Sequence, residues 1–221
     1  MKVLVYVEGP SDQAGLRAVL RSVLADGQRR GVGIQFLPLG DKAKILNTSA
    51  GKAARHLAEH PEDRVFALPD LYPMAPFHGT PNEHRSFADL ERLLTKRFAK
   101  EARRYRVPSA AQAHFRVHCL KHDLEVLLLA ARDELRQRLG TDHALGPWRS
   151  PVEDQNDDQP PKRVIEALFK KYRRKPDYVE TVDAPWMLER ASLDAVLGRC
   201  SQCFAPFVQE LRQIIESASS T

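Results

Sequence analysis

Four acids stand where apolar runs give way to turns and helix starts: Glu8, Asp12, Asp70 and Glu125. Glu8 ends the run Val3-Leu4-Val5-Tyr6-Val7, and Asp70 follows Val65-Phe66-Ala67-Leu68 with one proline between. An acid that terminates a buried apolar strand has no obvious structural task, so these two carry the chemical reading. Asp12 taken alone reads as a helix N-cap, and Glu125 as an acid favoured by the dipole at a helix start. Carboxylates held close raise one another's pKa and repel unless a cation neutralises them. Hard oxygen donors suit Mg²⁺ or Mn²⁺, which keep several waters and take few protein ligands. A pair of such ions can activate water and stabilise the leaving oxygen in phosphodiester hydrolysis. Spacing alone leaves open both a metal site and a set of acids with separate structural tasks.

The elements that would position these acids alternate. Lys2 to Val7, Ile34 to Leu37, Val65 to Leu68 and Phe115 to Leu120 read as strands. Between them, helical spacing runs from Ser11 or Asp12 through Leu24, over 42–59, and over 87–104. A strong helix is expected over 123–139. This order implies an α/β fold: a mostly parallel, four-stranded, Rossmann-like sheet with helices on both faces. Ligands bind such sheets outside the carboxyl ends of the strands, which is the edge where the four acids should gather. The expected division is an α/β domain over 1–145, an exposed acidic, proline-rich connection over 146–161, and a helical extension over 162–221 packed on the same domain. The extension is too small to count on as an independent domain.

The chain has 221 residues, three cysteines and a formal net charge of +5. Cys119, Cys200 and Cys203 are too few and too odd in number for a disulfide framework. No apolar run approaches the roughly 20 residues that a membrane span needs, and the N-terminus has no signal-peptide pattern. The expected location is therefore the cytoplasm. One basic cluster holds Lys96, Arg97, Lys100, Arg103, Arg104 and Arg106; another holds Lys170, Lys171, Arg173, Arg174 and Lys175. Either alone reads as a solvated helix end. Beside an acidic constellation, two clusters point to phosphate-backbone contact, with Arg103, Arg104, Lys170 and Arg173 as the expected nucleic-acid contacts.

The segment Val5-Tyr6-Val7-Glu8-Gly9-Pro10-Ser11-Asp12 resembles the first motif of toprim domains, in which a strand runs into Glu-Gly followed by a nearby acid. Such domains occur in topoisomerases, primases and the overcoming-lysogenization-defect (OLD) class of nucleases. The chain is more similar still to the toprim-related bacterial family called domain of unknown function 4276. Pro69-Asp70-Leu71-Tyr72-Pro73-Met74 resembles its Asp-x-Tyr-Gly-Leu-Pro block, and His122-Asp123-Leu124-Glu125-Val126-Leu127-Leu128 its His-Glu-x-Glu-Ala-Leu-Leu block. Pro161-Lys162-Arg163, Tyr172-Arg173, Lys175 and Cys200 resemble its closing segment.

The resemblance implies a toprim-like fold and a divalent-metal site, Mg²⁺ or Mn²⁺, at Glu8, Asp12, Asp70 and Glu125. Glu8, Asp70 and Glu125 would then be catalytic. Many toprim domains carry Asp-x-Asp after the third strand, whereas this chain has Tyr72 at the second position. Either Glu125 supplies the missing carboxylate, or the site binds metal weakly and does no catalysis. The implied function is a nuclease acting on DNA or RNA, in defence against phage or mobile elements. The alternative is a non-catalytic partner subunit of an ATPase.

Other constellations weigh less. Cys200-x-x-Cys203 with His118 and His122 has zinc-ligand types, but His118 falls inside a strand and both cysteines fit a buried helical face. Ser49-Ala50-Gly51-Lys52 lacks the first glycine and the hydroxyl of a phosphate loop. Lys52 reads better as a solvated helix lysine than as a phosphate contact. His122, Tyr72 and His78 lie near the acids in sequence and are open to substrate contact or to plain packing and exposure.

Overall fold

A computed structural model describes residues 1–155, 159–173 and 177–218. Along the chain run β1 (Lys2–Val7), α1 (Pro10–Val19), α2 (Arg21–Arg29), β2 (Gly33–Pro38), α3 (Lys42–Glu59) and β3 (Arg64–Ala67). Then come α4 (Phe87–Tyr105), α5 (Ser109–Gln112), β4 (Phe115–Val117), α6 (Glu125–Ala130) and α7 (Arg132–Leu139). The last helices are α8 (Pro161–Tyr172), α9 (Glu180–Arg190), α10 (Leu193–Arg199) and α11 (Phe204–Ser217). The chain divides into two compact units. One holds Met1–Gly9, Leu24–Leu120 and the chain from Gln213 onward; the other holds Pro10–Val23 and Lys121–Arg212.

In the first unit the strands form one four-stranded sheet in the order β2-β1-β3-β4. Every pairing is parallel, with Tyr6 beside both Leu37 and Ala67. The strands are β-branched and aromatic because helices leave them little exposure: Val3, Val5, Val65 and Phe66 are all fully buried. The β1-to-β2 and β2-to-β3 connections run in opposite directions along the sheet. Right-handed crossovers therefore put α2 from Leu24 onward on one face and α3 on the other. α3 and α4 pack against each other. Asp41 caps α3 by accepting from the Lys44 N–H at 2.7 Å, and Ser86 caps α4 through the Asp89 N–H at 3.1 Å. Pairing continues past the strand ends, where Asp70 bridges Leu120 and the Leu71 N–H donates to the Leu120 carbonyl at 2.7 Å.

In the second unit α1 packs on α9, and α6 meets α8, α9 and α10. At Gly15 α1 comes close to Leu124: a Cβ there would stand 2.4 Å from the leucine Cδ2, so the leucine end would have to shift. The stretch expected to be an exposed connection is anchored instead. Val152 and Glu153 are buried in a short 3-10 turn. The Glu153 carboxylate accepts from the backbone N–H groups of Gln202, Cys203 and Phe204, satisfying donors left free at the start of α11. Asn156, Asp157 and Asp158, the rest of the acidic run, lie outside the described residues, as do Arg174 and Lys175 of the second basic cluster.

Two expected helices are broken. The one through Leu24 is interrupted at Leu20, giving α1 and α2. The one over 123–139 breaks at Ala131, whose backbone leaves the helical region at φ −83° and ψ 57°. The carbonyl freed just before that break, on Ala130, accepts from the Arg199 guanidinium. α9 begins at Glu180 and carries Pro185 inside it. β4 is shorter than expected, ending at Val117.

Candidate metal centre

β1 and β3 are neighbours in the sheet, so the residues that follow them meet at its carboxyl edge. Glu8 and Asp70 are both half-buried there, and the Asp70 backbone N–H donates to Glu8 Oε1 at 3.0 Å. The loop after Asp70 is tied back to α3. Lys42, at the first position of α3 and 6% exposed, donates from Nζ to the carbonyls of Leu71 and Pro73 at 2.6 and 2.8 Å. Burial holds the Lys42 ammonium down to about 8, although the charges of Glu8, Asp70 and Cys119 work in the opposite direction. Lys42 thus sets one positive charge beside two negative ones. Sequence reading missed it because a lysine next to a helix N-cap looks like a solvated one.

The loop is held at two further points. His84, buried at 1% exposure, places Nδ1 2.8 Å from the Asn82 carbonyl. Arg97 donates to the carbonyls of Leu46 and Pro81 and to Asn82 Oδ1. Tyr72 is half-buried on this loop, and His78 is exposed.

In the second unit Glu125 opens α6 and is 3% exposed. Its Oε1 accepts from the Tyr178 hydroxyl at 2.8 Å. Asp123 lies two residues earlier, and its Oδ1 is buried with no hydrogen-bond partner. Burial, then the Glu125 charge, push the Asp123 carboxyl up to about 8. Burial also raises Glu125. The pair therefore keeps a proton at neutral pH unless a cation replaces it. Lys162 stands by as a counter-charge. Burial opposes its ammonium, but pairing with Glu180 and the charges of Glu125 and Asp123 more than offset this and raise it. Asp12 is half-buried in the first turn of α1, one turn before the Gly15 that abuts Leu124. The sequence reading did not include Asp123 among its site acids.

The expected phosphate contacts differ in setting. Arg103, Arg104 and Lys170 are exposed at the last turns of α4 and α8. Arg173 is engaged: it lies 3.6 Å from Asp183, itself 1% exposed, and stacks on Phe169. The cysteines show no zinc geometry among the described residues. Cys200 is buried, its thiol raised by that burial, and none of the three cysteines is in a disulfide. Among the described residues, His60, Glu62 and Asp63 place ligand atoms within 4.8 Å of one another at the turn into β3. Asp63 is already occupied there, accepting from the Lys2 N–H at 2.6 Å and lying 2.9 Å from His56 Nε2.

A parallel sheet with acids after two adjacent strands defines the first unit as an α/β fold, and the second unit carries a buried acidic pair at the start of a helix. The chain belongs to the family of domain of unknown function 4276, whose profile matches residues 7–212. It is similar, over 98% of its length and 96% of the other chain, to the C-terminal region of the Xanthomonas campestris pv. campestris OLD protein, at 14% identity and TM-score 0.45. Against the C-terminal region of the Burkholderia pseudomallei OLD protein the figures are 96% and 98% coverage, 12% identity and TM-score 0.45. A search of curated proteins returns no match. Among the described residues no helix is long and apolar enough to cross a membrane.

Proposed function

We propose that the chain is a divalent-metal-dependent nuclease of toprim type, cutting phosphodiesters of DNA or RNA in the cytoplasm. The observation that carries the reading is the meeting of Glu8 and Asp70 at the carboxyl edge of β1 and β3. Their donor type supports the reading. They offer carboxylate oxygens, and Asp123 Oδ1 is a buried oxygen lacking a partner. Bound Mg²⁺ or Mn²⁺ would supply an activated water and neutralise charge on the phosphate.

Glu8, Asp70 and Glu125 are assigned to catalysis and, with Asp12, to metal ligation; Asp123 is added as a donor. Glu8 fixes the Asp70 backbone, and Lys42 fixes the loop that follows. Arg103, Arg104 and Lys170 would hold the backbone without reading sequence, with Arg173 acting mainly through Asp183. Defence against phage or mobile elements is the setting that the OLD-nuclease resemblance suggests.

The assay is cleavage of plasmid DNA and of RNA with Mg²⁺ or Mn²⁺. Glu8→Gln should lower the rate at least a hundredfold while leaving the thermal melt in place. Equal cutting by both proteins would end the assignment. Tyr72, standing where many toprim domains have an acid, favours a second reading as a non-catalytic partner of an ATPase. No heat of Mn²⁺ binding, together with co-purification of an ATPase, would decide for it.

A further inference from the structure

A cleft of about 960 Å³ lies in the first unit on the side of α3 and α4. Tyr6 and Leu37 to Leu39 line one part of it, and α3 and α4 line the rest. Its cations outnumber its acids: Lys52, Arg55, Lys100 and Arg104 against Glu59 and Glu101, with Arg97 committed to the loop. All four of those cations are exposed. Neither Lys52 nor Lys100 has a hydrogen bond or ion pair among the described residues. Arg55 and Arg104 both lie over the Tyr105 ring, at 5.6 and 5.5 Å.

The cleft also has a direction. It begins at Pro38 and Leu39, and the next residue, Gly40, donates its N–H to the Glu8 carbonyl at 2.7 Å. From there it follows α3 to Glu59.

We propose that this cleft is a track for the phosphodiester backbone of a polynucleotide, leading toward the Glu8–Asp70 rim. The inference rests on the nuclease reading for its destination but on the cleft's own charges for its ligand. Unpaired lysines on two facing helices that neutralise phosphates release the cations condensed on the polynucleotide, and contact of this kind is independent of sequence.

The test separates binding from cutting. A fluorescein-labelled single-stranded oligonucleotide is titrated with the full chain in EDTA over a series of KCl concentrations, and anisotropy is read. Lys52→Glu with Lys100→Glu should weaken binding about tenfold or more and lower the slope of log K against log[KCl] by about 1.4, roughly 0.7 per lost phosphate contact. Lys52→Gln with Lys100→Gln should lower the slope equally with a smaller loss of affinity. Arg29→Glu, an exposed reversal on α2, should leave the slope unchanged. An unchanged slope in the lysine variants, or no binding by wild type, overturns the track. Displacement by a mononucleotide at equal phosphate concentration also overturns it, marking a small-ligand site. Binding lost in the lysine variants, together with no cutting by wild type in Mn²⁺, would keep the track and remove the nuclease.

Discussion

Asp123 gives the site a pH signature. Its carboxyl is raised from the ordinary 3.8 to about 8, so between those values the folded chain holds a proton that the unfolded chain has released. In EDTA its contribution to stability is full below pH 3.8 and is lost as pH rises toward about 8. Asp123→Asn should flatten that decline and make the protein more stable than wild type at pH 8, as urea unfolding at pH 5, 6.5 and 8 would measure. Mn²⁺ should stabilise the wild type at pH 8 more than it stabilises the variant, which keeps the other carboxylates; a variant with the wild-type pH slope would refute this. The strand-ending acids were legible because each interrupts an apolar run. Lys42 and Asp123 were not, because their burial comes from chain far away in sequence: the loop carbonyls of Leu71 and Pro73 for one, Lys162 and Glu125 for the other.

Among the elements, the strands and the helices between them were readable from β-branched runs, caps and helical spacing. Breaks made by tertiary contacts were not. Ala131 is flanked by good helix formers, and nothing local announces that Arg199 takes the carbonyl beside it. Pro185 lies within α9, a position where local sequence rules place a helix start rather than a helix interior. The acidic, proline-rich stretch after Gly146 has the composition of a solvated connection, yet Glu153 is 1% exposed and serves three backbone donors. Glu153→Ala should leave those N–H groups without a partner and cost about 3 kcal/mol, read as a lower urea midpoint at unchanged m. A loss within error would show that solvent satisfies the start of α11.

At the scale of the whole molecule, the chain passes between its two units at residues 9/10, 23/24, 120/121 and 212/213. Neither unit is a continuous stretch, so no single cut releases one intact. A fragment of residues 1–145, the division that composition suggests, would keep the sheet but strip α1 of α9. It should show no cooperative thermal transition, whereas the full chain should show one; a sharp melt of the fragment would count against the importance of that pairing. The parallel sheet order was legible because alternating strands and helices leave few topologies. The nesting was not, since it depends on which distant helices share a face.

The pairing of α1 with α9 also sets a schedule. Leu16 and Val19, buried in the folded protein, leave the ribosome well before Met187 and Leu188 of α9. At 5–20 residues per second the wait is roughly 10–30 s. For that interval the nascent chain carries an apolar stripe without its partner, so newborn chains, rather than finished ones, are where a holdase chaperone would find its opportunity.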